Sequence, residues 1–315
     1  MRRPVRCCVL RIATVADGGL NPAVLFRKIA LVGVGLLGGS LALAIRARGL
    51  AAVVQGYVRR ESSIAECAHA GLPDFATTDL LAAVRDADLI ILCTPLAQMR
   101  GLTEKLLPAL KKGALVSDVG SVKASVVADL ETLVTEAGAH FVGAHPMAGG
   151  EQPGISAARA DLFSNAVCII TPTPATNAAA LQRTEEFWRA LGTRLLKMTP
   201  LLHDELVARS SHLPHSLAAA LASYVLQPAH PKEQPHLCAT GFRDTTRVAS
   251  GSPEMWRDIA LANRVPLSQA LGELTEQLQT LQRAVATGDA ATIEKFFTTA
   301  KQRRDGWCAQ AASLE

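Results

Sequence analysis

Residues 28–49, KIALVGVGLLGGSLALAIRARG, place a glycine turn between a short apolar run and a longer one. The apolar residues 29–32 predict a buried strand, and the run after the turn predicts a helix. Gly33, Gly35 and Gly38 form the pattern GxGxxG within that turn. A strand, a glycine turn of this spacing and a helix together restrict the chain to an α/β fold.

Each glycine of the turn is expected for its own physical reason. Gly33 permits a tight turn, Gly35 lets the backbone approach a pyrophosphate, and Gly38 lets the helix pack closely on the strand. The first helical residues, Leu36 and Leu37, present free N–H groups and a partial positive charge to phosphate oxygens. The turn therefore predicts a bound dinucleotide.

Five further apolar runs bounded by turn residues follow: VVQGYV, ADLIILCTP, GALVSDVG, HFVGAHP and AVCIITP. Helix-like stretches separate them, and this alternation predicts a Rossmann-like, doubly wound, mostly parallel sheet. Residues 193–199 are predicted to form its last strand. Ligands of such sheets bind at the carboxyl ends of the strands, where Thr94, Pro95, residues 118–123 and His145 occur.

The residues after the second predicted strand bear on the choice of cofactor. A carboxylate about 20 residues beyond the last glycine usually binds the ribose 2′-hydroxyl of NAD. Val58 stands at that position, and Arg59, Arg60 and Ser62 follow it. Two guanidinium groups can pair with a 2′-phosphate, so NADP is favoured over NAD. In the alternative interpretation both arginines are solvated and the protein accepts either cofactor.

The 315 residues suffice for two domains. Residues 1–26 are rich in arginine and are predicted to be a poorly ordered leader. Residues 27–199 are predicted to form the dinucleotide-binding domain, and residues 200–315 an all-helical substrate and dimerisation domain. Its helices have long apolar faces that one small domain can hardly bury, so we expect a homodimer through the C-terminal helices.

Composition excludes several classes of partner. The net charge is only +4, and basic residues are mixed with acidic ones, so nucleic acid is not expected as a partner. No apolar run approaches the roughly 18 residues needed to span a bilayer, so no membrane is expected. Seven cysteines without a CxxC pair predict free thiols in a reducing cytoplasm and no metal site.

Helical spacing dominates the second half of the chain, with one interruption. His212, Pro214 and His215 interrupt the first helical stretch, and the proline is predicted to kink it. The two histidines share one face, a pattern more typical of a core or interface than of a metal site. Arg247 is predicted to lie on a later helix, and Ser252 is predicted to cap the helix after that.

Five motifs occur in one order along the chain: VGVGLLGGSLALA, DVGSVK, GAHPMAGGE, SHLPHSLA and GFRDTTRVASGSPEMWRDI. With them, the chain from about Lys28 to Arg304 resembles the prephenate/arogenate dehydrogenase family. The resemblance implies oxidative decarboxylation of prephenate or arogenate in tyrosine biosynthesis, with hydride transfer to NAD(P)+.

The resemblance also implies roles for individual residues. His145 corresponds to the catalytic histidine, and Ser121 to the serine that orients it and approaches the nicotinamide. A neutral imidazole suits the removal of a proton from a ring hydroxyl, because the ordinary pKa of histidine is about 6.5.

Further residues match substrate-pocket positions of the family. Arg247 matches the arginine that binds a substrate carboxylate, and a guanidinium fork fits a carboxylate better than an ammonium group does. His215 and Trp256 match pocket residues, and Glu151 matches an acid that shapes the pocket. Thr240 is a departure, because relatives often have glycine in the turn before the arginine.

Two other functions are consistent with parts of the pattern. A two-domain NADP-dependent hydroxyacid dehydrogenase shares the glycine turn but relies on a lysine as acid/base. Lys123 is a poor candidate for that role here, because His145 has the better context. A regulator that senses nucleotides without catalysis is expected to have lost one of the residues His145, Ser121 or Arg247, and all three are present.

Overall fold

The computed structural model describes residues 24–150 and 152–312. The predictions made for residues 1–23 and for Glu151 lie outside the described residues. Strand β1 begins at Phe26, one residue before the predicted start of ordered structure.

Eight strands form a single sheet with the order β3-β2-β1-β4-β5-β6-β7-β8. All neighbouring strands are parallel except β6 and β7, which are antiparallel. The predicted doubly wound, mostly parallel sheet is therefore confirmed. The strands are β1 (Phe26–Val32), β2 (Ala51–Tyr57), β3 (Phe75–Thr77), β4 (Leu89–Leu92), β5 (Leu115–Asp118), β6 (His140–Pro146), β7 (Val167–Thr171) and β8 (Arg194–Lys197).

Helices cover the sheet and then make up the second half of the described chain. Those between the strands are α1 (Leu36–Arg48), α2 (Glu61–Ala70), α3 (Leu80–Val84), α4 (Leu96–Leu106), α5 (Ala124–Glu136) and α6 (Ala178–Ala190). Those after the last strand are α7 (Pro200–Val207), α8 (Leu213–Val225), α9 (Thr240–Thr246), α10 (Pro253–Ala262), α11 (Arg264–Thr287) and α12 (Ala290–Ala312).

Two hydrophobic cores lie on opposite faces of the sheet. Successive residues of a strand point to opposite faces, so Ile29 and Leu31 belong to one core and Ala30 and Val32 to the other. All four side chains are fully buried. Burial on both faces explains why the strand reads as a continuous apolar run rather than an alternating one.

Two strands were not apparent in full from the apolar pattern. Strand β3 has only three residues and lies at the edge of the sheet, so its pattern is too short to recognise. Strand β7 is apolar as expected, but the pattern does not reveal its direction. A parallel crossover usually needs a helix. Among the described residues between β6 and β7, the only helical segment is the 3₁₀ turn Ile155–Ala157, and β7 returns antiparallel.

Near Pro214, where a kink is predicted, the structure shows a change of helix type. A π-helical turn, Ala208–His212, separates α7 from α8, and Pro214 lies in the first turn of α8. Proline has no N–H to donate and its ring clashes with the carbonyl four residues earlier, so a wider turn accommodates it. The predicted cap is confirmed, because the Ser252 hydroxyl accepts a hydrogen bond from the Met255 N–H.

Within the described part of the chain, none of the helices combines the length and the apolar character that crossing a membrane requires.

Candidate active site

The glycine turn joins β1 to α1 with the geometry that its spacing predicts. Gly33 has a φ of +102°, and a Cβ added there would lie 2.9 Å from the Cys93 carbonyl oxygen. A Cβ on Gly38 would lie 2.0 Å from the Gly33 carbonyl oxygen, so helix and strand are in direct backbone contact. A Cβ on Gly35 would have no atom within 4 Å. The turn is therefore closed against the protein at two glycines and open at the third.

Groups around this open side fit a dinucleotide. Helix α1 begins after Gly35 without a side-chain cap and without an acidic residue in its first turn, so its N–H groups are available to an anion. Thr94 lies beside Gly33, and its buried hydroxyl has no hydrogen-bond partner among the described residues. Pro95 follows at the start of α4.

The residues predicted to select the cofactor follow β2. Arg59, Arg60 and Ser62 are all exposed. Val58 is buried where a carboxylate would be expected, and the nearby Glu61 accepts a hydrogen bond from the hydroxyl of Thr78. The loop that follows β2 therefore presents two guanidinium groups to solvent.

His145 is the last residue but one of β6 and is only 8% exposed. Its Nδ1 lies 2.8 Å from Nε2 of His203, and the two rings meet edge to face. Burial lowers the pKa of His145 well below its ordinary value of 6.5, and electrostatic repulsion from the neighbouring basic groups of His203, Lys123 and His212 lowers it further. The imidazole of His145 is therefore neutral at neutral pH.

His203 lies in α7 and connects His145 to a buried carboxylate. Its Nδ1 lies 2.7 Å from Oδ1 of Asp204. The Asp204 carboxylate also accepts hydrogen bonds from the backbone N–H groups of Lys123 and Ala124, at 2.8 and 2.9 Å. These two donors belong to the start of α5, so one carboxylate joins the helical half of the chain to the rim of the sheet.

Lys123 is fully buried, and its ammonium group forms an ion pair with the equally buried Asp118. It also donates to the Ala144 carbonyl at 2.9 Å. Asp118 in turn accepts hydrogen bonds from the N–H groups of Gly120 and Ala144. The pair thus ties the loop after β5 to β6 just before His145, which is a structural use of Lys123.

A second group of polar side chains adjoins Asp204. The Asn263 side-chain amide donates to the Asp204 backbone carbonyl at 2.8 Å and to Nδ1 of His212 at 3.0 Å. Neutral His212 therefore carries its proton on Nε2, a buried atom without a hydrogen-bond partner among the described residues. Burial lowers the pKa of His212 to about 4, and the Ser121 backbone faces the ring.

The aromatic ring of Trp256 joins this group to the SHLPH histidines. It stacks on His215 with 3.9 Å between ring centroids and meets His212 edge to face at 6.1 Å. A Cβ on Gly251 would lie 2.6 Å from the Trp256 indole nitrogen, so the turn that precedes α10 also packs against this ring.

Of the predicted site residues, His145, His215 and Trp256 are connected through these contacts. Arg247 begins the 3₁₀ turn Arg247–Ser250, which packs against α8, the helix that carries His215. Arg247 is therefore in a helical segment, as predicted, but this segment is a 3₁₀ turn that follows α9, which ends at Thr246. Thr240 is the exposed first residue of α9, and Ser121 lies in the loop between β5 and α5.

Sequence reasoning did not single out His203, Asp204 or Asn263. The adjacent histidine and aspartate at the start of α7 were the available signal. Helical periodicity alone does not show that this turn reaches a strand end 58 residues earlier in the chain. Within residues 24–150 and 152–312, no group of three or more His, Cys, Asp or Glu side chains is arranged so that it could hold a metal ion.

Comparison with known proteins identifies relatives that share this sequence and architecture. The family model described as the nucleotide-binding domain of prephenate dehydrogenase matches residues 41–197, and the model of its dimerization domain matches residues 199–300. The chain is 35% identical over 282 residues to a cyclohexadienyl dehydrogenase of Zymomonas mobilis, covering 89% of this chain and 95% of that protein.

Solved structures agree with this result. A prephenate dehydrogenase from Aquifex aeolicus, crystallised with hydroxyphenyl propionate and NAD+, superposes with a TM-score of 0.82 at 31% identity. The match covers 89% of this chain and 98% of that one. An arogenate dehydrogenase from Synechocystis gives a TM-score of 0.74 at 32% identity, with 89% and 99% of the two chains covered. The chain therefore belongs to the prephenate dehydrogenase family.

Proposed function

We propose that the chain catalyses the oxidative decarboxylation of prephenate, of arogenate or of both, with hydride transfer to a nicotinamide cofactor. Membership in this family makes it an oxidoreductase. The observation that carries the proposed chemistry is the buried, neutral imidazole of His145, held by His203 at the carboxyl end of β6.

In this reaction, a hydride leaves the ring carbon that bears the hydroxyl group. The bond to the ring carboxylate then breaks, carbon dioxide departs, and the released electron pair completes the aromatic ring. When bound, the nicotinamide supplies the hydride acceptor. The hydroxyl proton becomes acidic as the hydride leaves, so a base within hydrogen-bond reach lowers the barrier.

His145 is the base in our proposal. Because its pKa is lowered, the ring is unprotonated and able to accept at neutral pH. A general base of this kind typically contributes about 10²–10⁴-fold to the rate. Ser121, in the loop after β5, is proposed to orient the reacting groups beside the nicotinamide.

Arg247 is proposed to bind a substrate carboxylate. Two parallel N–H donors of a guanidinium match the two oxygens of a carboxylate, and such bonds are stronger than neutral ones. His215 and Trp256, which stack on each other, and Thr240 are proposed to line the same pocket. The proposal retains Glu151 as an acid that shapes this pocket.

The dinucleotide is proposed to bind at the open side of the glycine turn. The residues assigned to it are Gly33, Gly35, Leu36, Leu37, Gly38, Thr94 and Pro95. NADP is proposed as the preferred form, because Val58 replaces the carboxylate expected after β2 and exposed Arg59 and Arg60, with Ser62, can pair with a 2′-phosphate. NAD remains the alternative cofactor.

We propose that two copies of the chain associate through the C-terminal helices. The matching family model is a dimerization domain. Large apolar side chains are exposed along α10 to α12, among them Val265 at 69% and Trp307 at 61%. Surface of this kind is typical of an interface between subunits.

The two alternative functions are separable by one set of measurements. The hydroxyacid dehydrogenase alternative needs a lysine base, whereas the Lys123 ammonium is engaged by Asp118. Steady-state rates with prephenate, arogenate and a hydroxy acid, each with NAD+ and NADP+, test the proposal. Turnover of a cyclohexadienyl acid with release of carbon dioxide supports it. Turnover of the hydroxy acid alone supports the rival dehydrogenase, and nucleotide binding without any turnover supports a regulator.

A further inference from the structure

Asp204, His203 and His145 form a continuous buried series of hydrogen bonds. The Asp204 carboxylate is 2.7 Å from Nδ1 of His203, and Nε2 of His203 is 2.8 Å from Nδ1 of His145. His203 is fully buried and Asp204 is 2% exposed. Because His203 and Asp204 are almost completely buried, their polar atoms depend on these hydrogen bonds rather than on water.

The positions of the protons follow from the acceptor at the end of the series. The Asp204 carboxylate accepts hydrogen bonds from the backbone N–H groups of Lys123 and Ala124, so it is ionised and can only accept. Nδ1 of His203 therefore donates to it. In neutral His203 the other nitrogen, Nε2, then has the lone pair and accepts from Nδ1–H of His145. Neutral His145 is left with its own lone pair on Nε2.

We propose that His203 and Asp204 are positioning residues that hold His145 as the Nδ1–H tautomer, so that Nε2 is the atom that accepts the substrate hydroxyl proton. This inference rests on the proposed role of His145 as the base. It assigns to α7 of the helical half a task that the sequence did not reveal.

The other tautomer would be inactive. With the proton on Nε2, His145 could donate toward the substrate but could not accept from it. A free imidazole exchanges between the two forms, so an acceptor at Nδ1 is needed to select one. Serine hydrolases show the size of such an effect, because replacing the orienting aspartate with asparagine reduces kcat about 10⁴-fold.

A matched pair of variants tests the role of His203. Glutamine and methionine have similar lengths, but only glutamine presents an oxygen that can accept from Nδ1–H of His145. We expect His203→Met to lower kcat about 10²-fold, with a much smaller change in the KM of the substrate. We expect His203→Gln to retain at least about tenfold more of kcat than His203→Met. His69→Gln, on the exposed face of α2, is the control for loss of a histidine.

The pH profile of kcat distinguishes positioning from folding. The titratable and charged groups around His145 are Lys123 and Asp118 at the sheet rim, Cys168 in β7, His203 and Asp204 in α7, and His212 in the π-helical turn. Loss of His203 changes the charged groups around His145. The pH at which kcat falls on the acidic side should therefore differ between His203→Met and the parent. A purely structural role predicts lower stability with this pH unchanged and equal losses in both variants.

Nitrogen-15 NMR of histidine-labelled protein reads the tautomer directly, with His145→Asn identifying the signals. Protonated Nδ1 and unprotonated Nε2 in the parent, with a mixture in His203→Met, support the proposal. Protonated Nε2 in the parent overturns it even if neither variant folds, and so does parental kcat in His203→Met. If His145→Asn keeps its activity, the role of base fails instead, and the spectrum still decides the tautomer.

Discussion

Gly35 and Gly38 belong to one turn, but an added methyl group has opposite surroundings at the two positions. At Gly38 the new Cβ would lie 2.0 Å from the Gly33 carbonyl oxygen, so β1 and α1 must separate. Overpacking of this kind typically costs about 1–3 kcal/mol, and backbone atoms cannot turn aside as a side chain can. We expect Gly38→Ala to lower the free energy of unfolding by about 3 kcal/mol or more.

At Gly35 the new Cβ would meet no atom within 4 Å, and φ is −97°, outside the left-handed region. We therefore expect the stability of Gly35→Ala to stay within about 1 kcal/mol of the parent. The methyl group would instead occupy the open side where a pyrophosphate approaches the start of α1. We expect the Kd of the cofactor to rise about tenfold, which corresponds to about 1.4 kcal/mol.

Urea denaturation measures the stability of both variants, and titration with NAD+ and NADP+ measures their cofactor affinity. Gly101→Ala, in the exposed middle of α4, is the control and should gain about 0.5–1 kcal/mol of stability without a change in affinity. Parental cofactor affinity in Gly35→Ala, or parental stability in Gly38→Ala, would refute the reasoning.

Three further predictions concern charge. Arg247→Ala should raise the substrate KM at least about tenfold through loss of a charge-assisted bond, while Arg243→Ala should not; equal KM values in both variants would contradict this. Replacing Arg59 and Arg60 together by alanine should lower the NADP/NAD ratio of kcat/KM, and an unmoved ratio would remove the phosphate assignment. The pKa of His212 is lowered from 6.5 to about 4, so the unfolded chain gains a proton below pH 6.5 that the folded chain excludes. Stability is therefore lost as the pH falls, by up to about 1.4 kcal/mol per pH unit for this residue. The free energies of unfolding from urea titrations at pH 7 and pH 5 should differ by about 2 kcal/mol less in His212→Gln than in the parent, and an equal difference would argue against a neutral His212.

The parts of the fold that depend on neighbouring residues were predictable from the sequence. The β1 turn and α1 follow from apolar spacing and three glycines within a few residues. The cap at Ser252 and the break near Pro214 likewise depend on local chemistry, because a hydroxyl and a missing N–H act within one helical turn.

The parts that depend on tertiary contacts were not predictable. The bond between His145 and His203 joins residues 58 positions apart, and Asp204 reaches back to the N–H of Lys123 across 81 positions. No local pattern encodes such pairs. The sequence placed Lys123 at a strand end, but only the folded chain reveals that its charge is buried against Asp118.

The account depends most on the neutral imidazole of His145 as the base. The direct measurement is kcat of His145→Asn with prephenate and arogenate, beside His140→Asn at the other end of the same strand as the control. We predict that His145→Asn loses at least about 10²-fold in kcat while it still binds cofactor and substrate, and that the control does not. A kcat equal to that of the parent in His145→Asn would contradict the account.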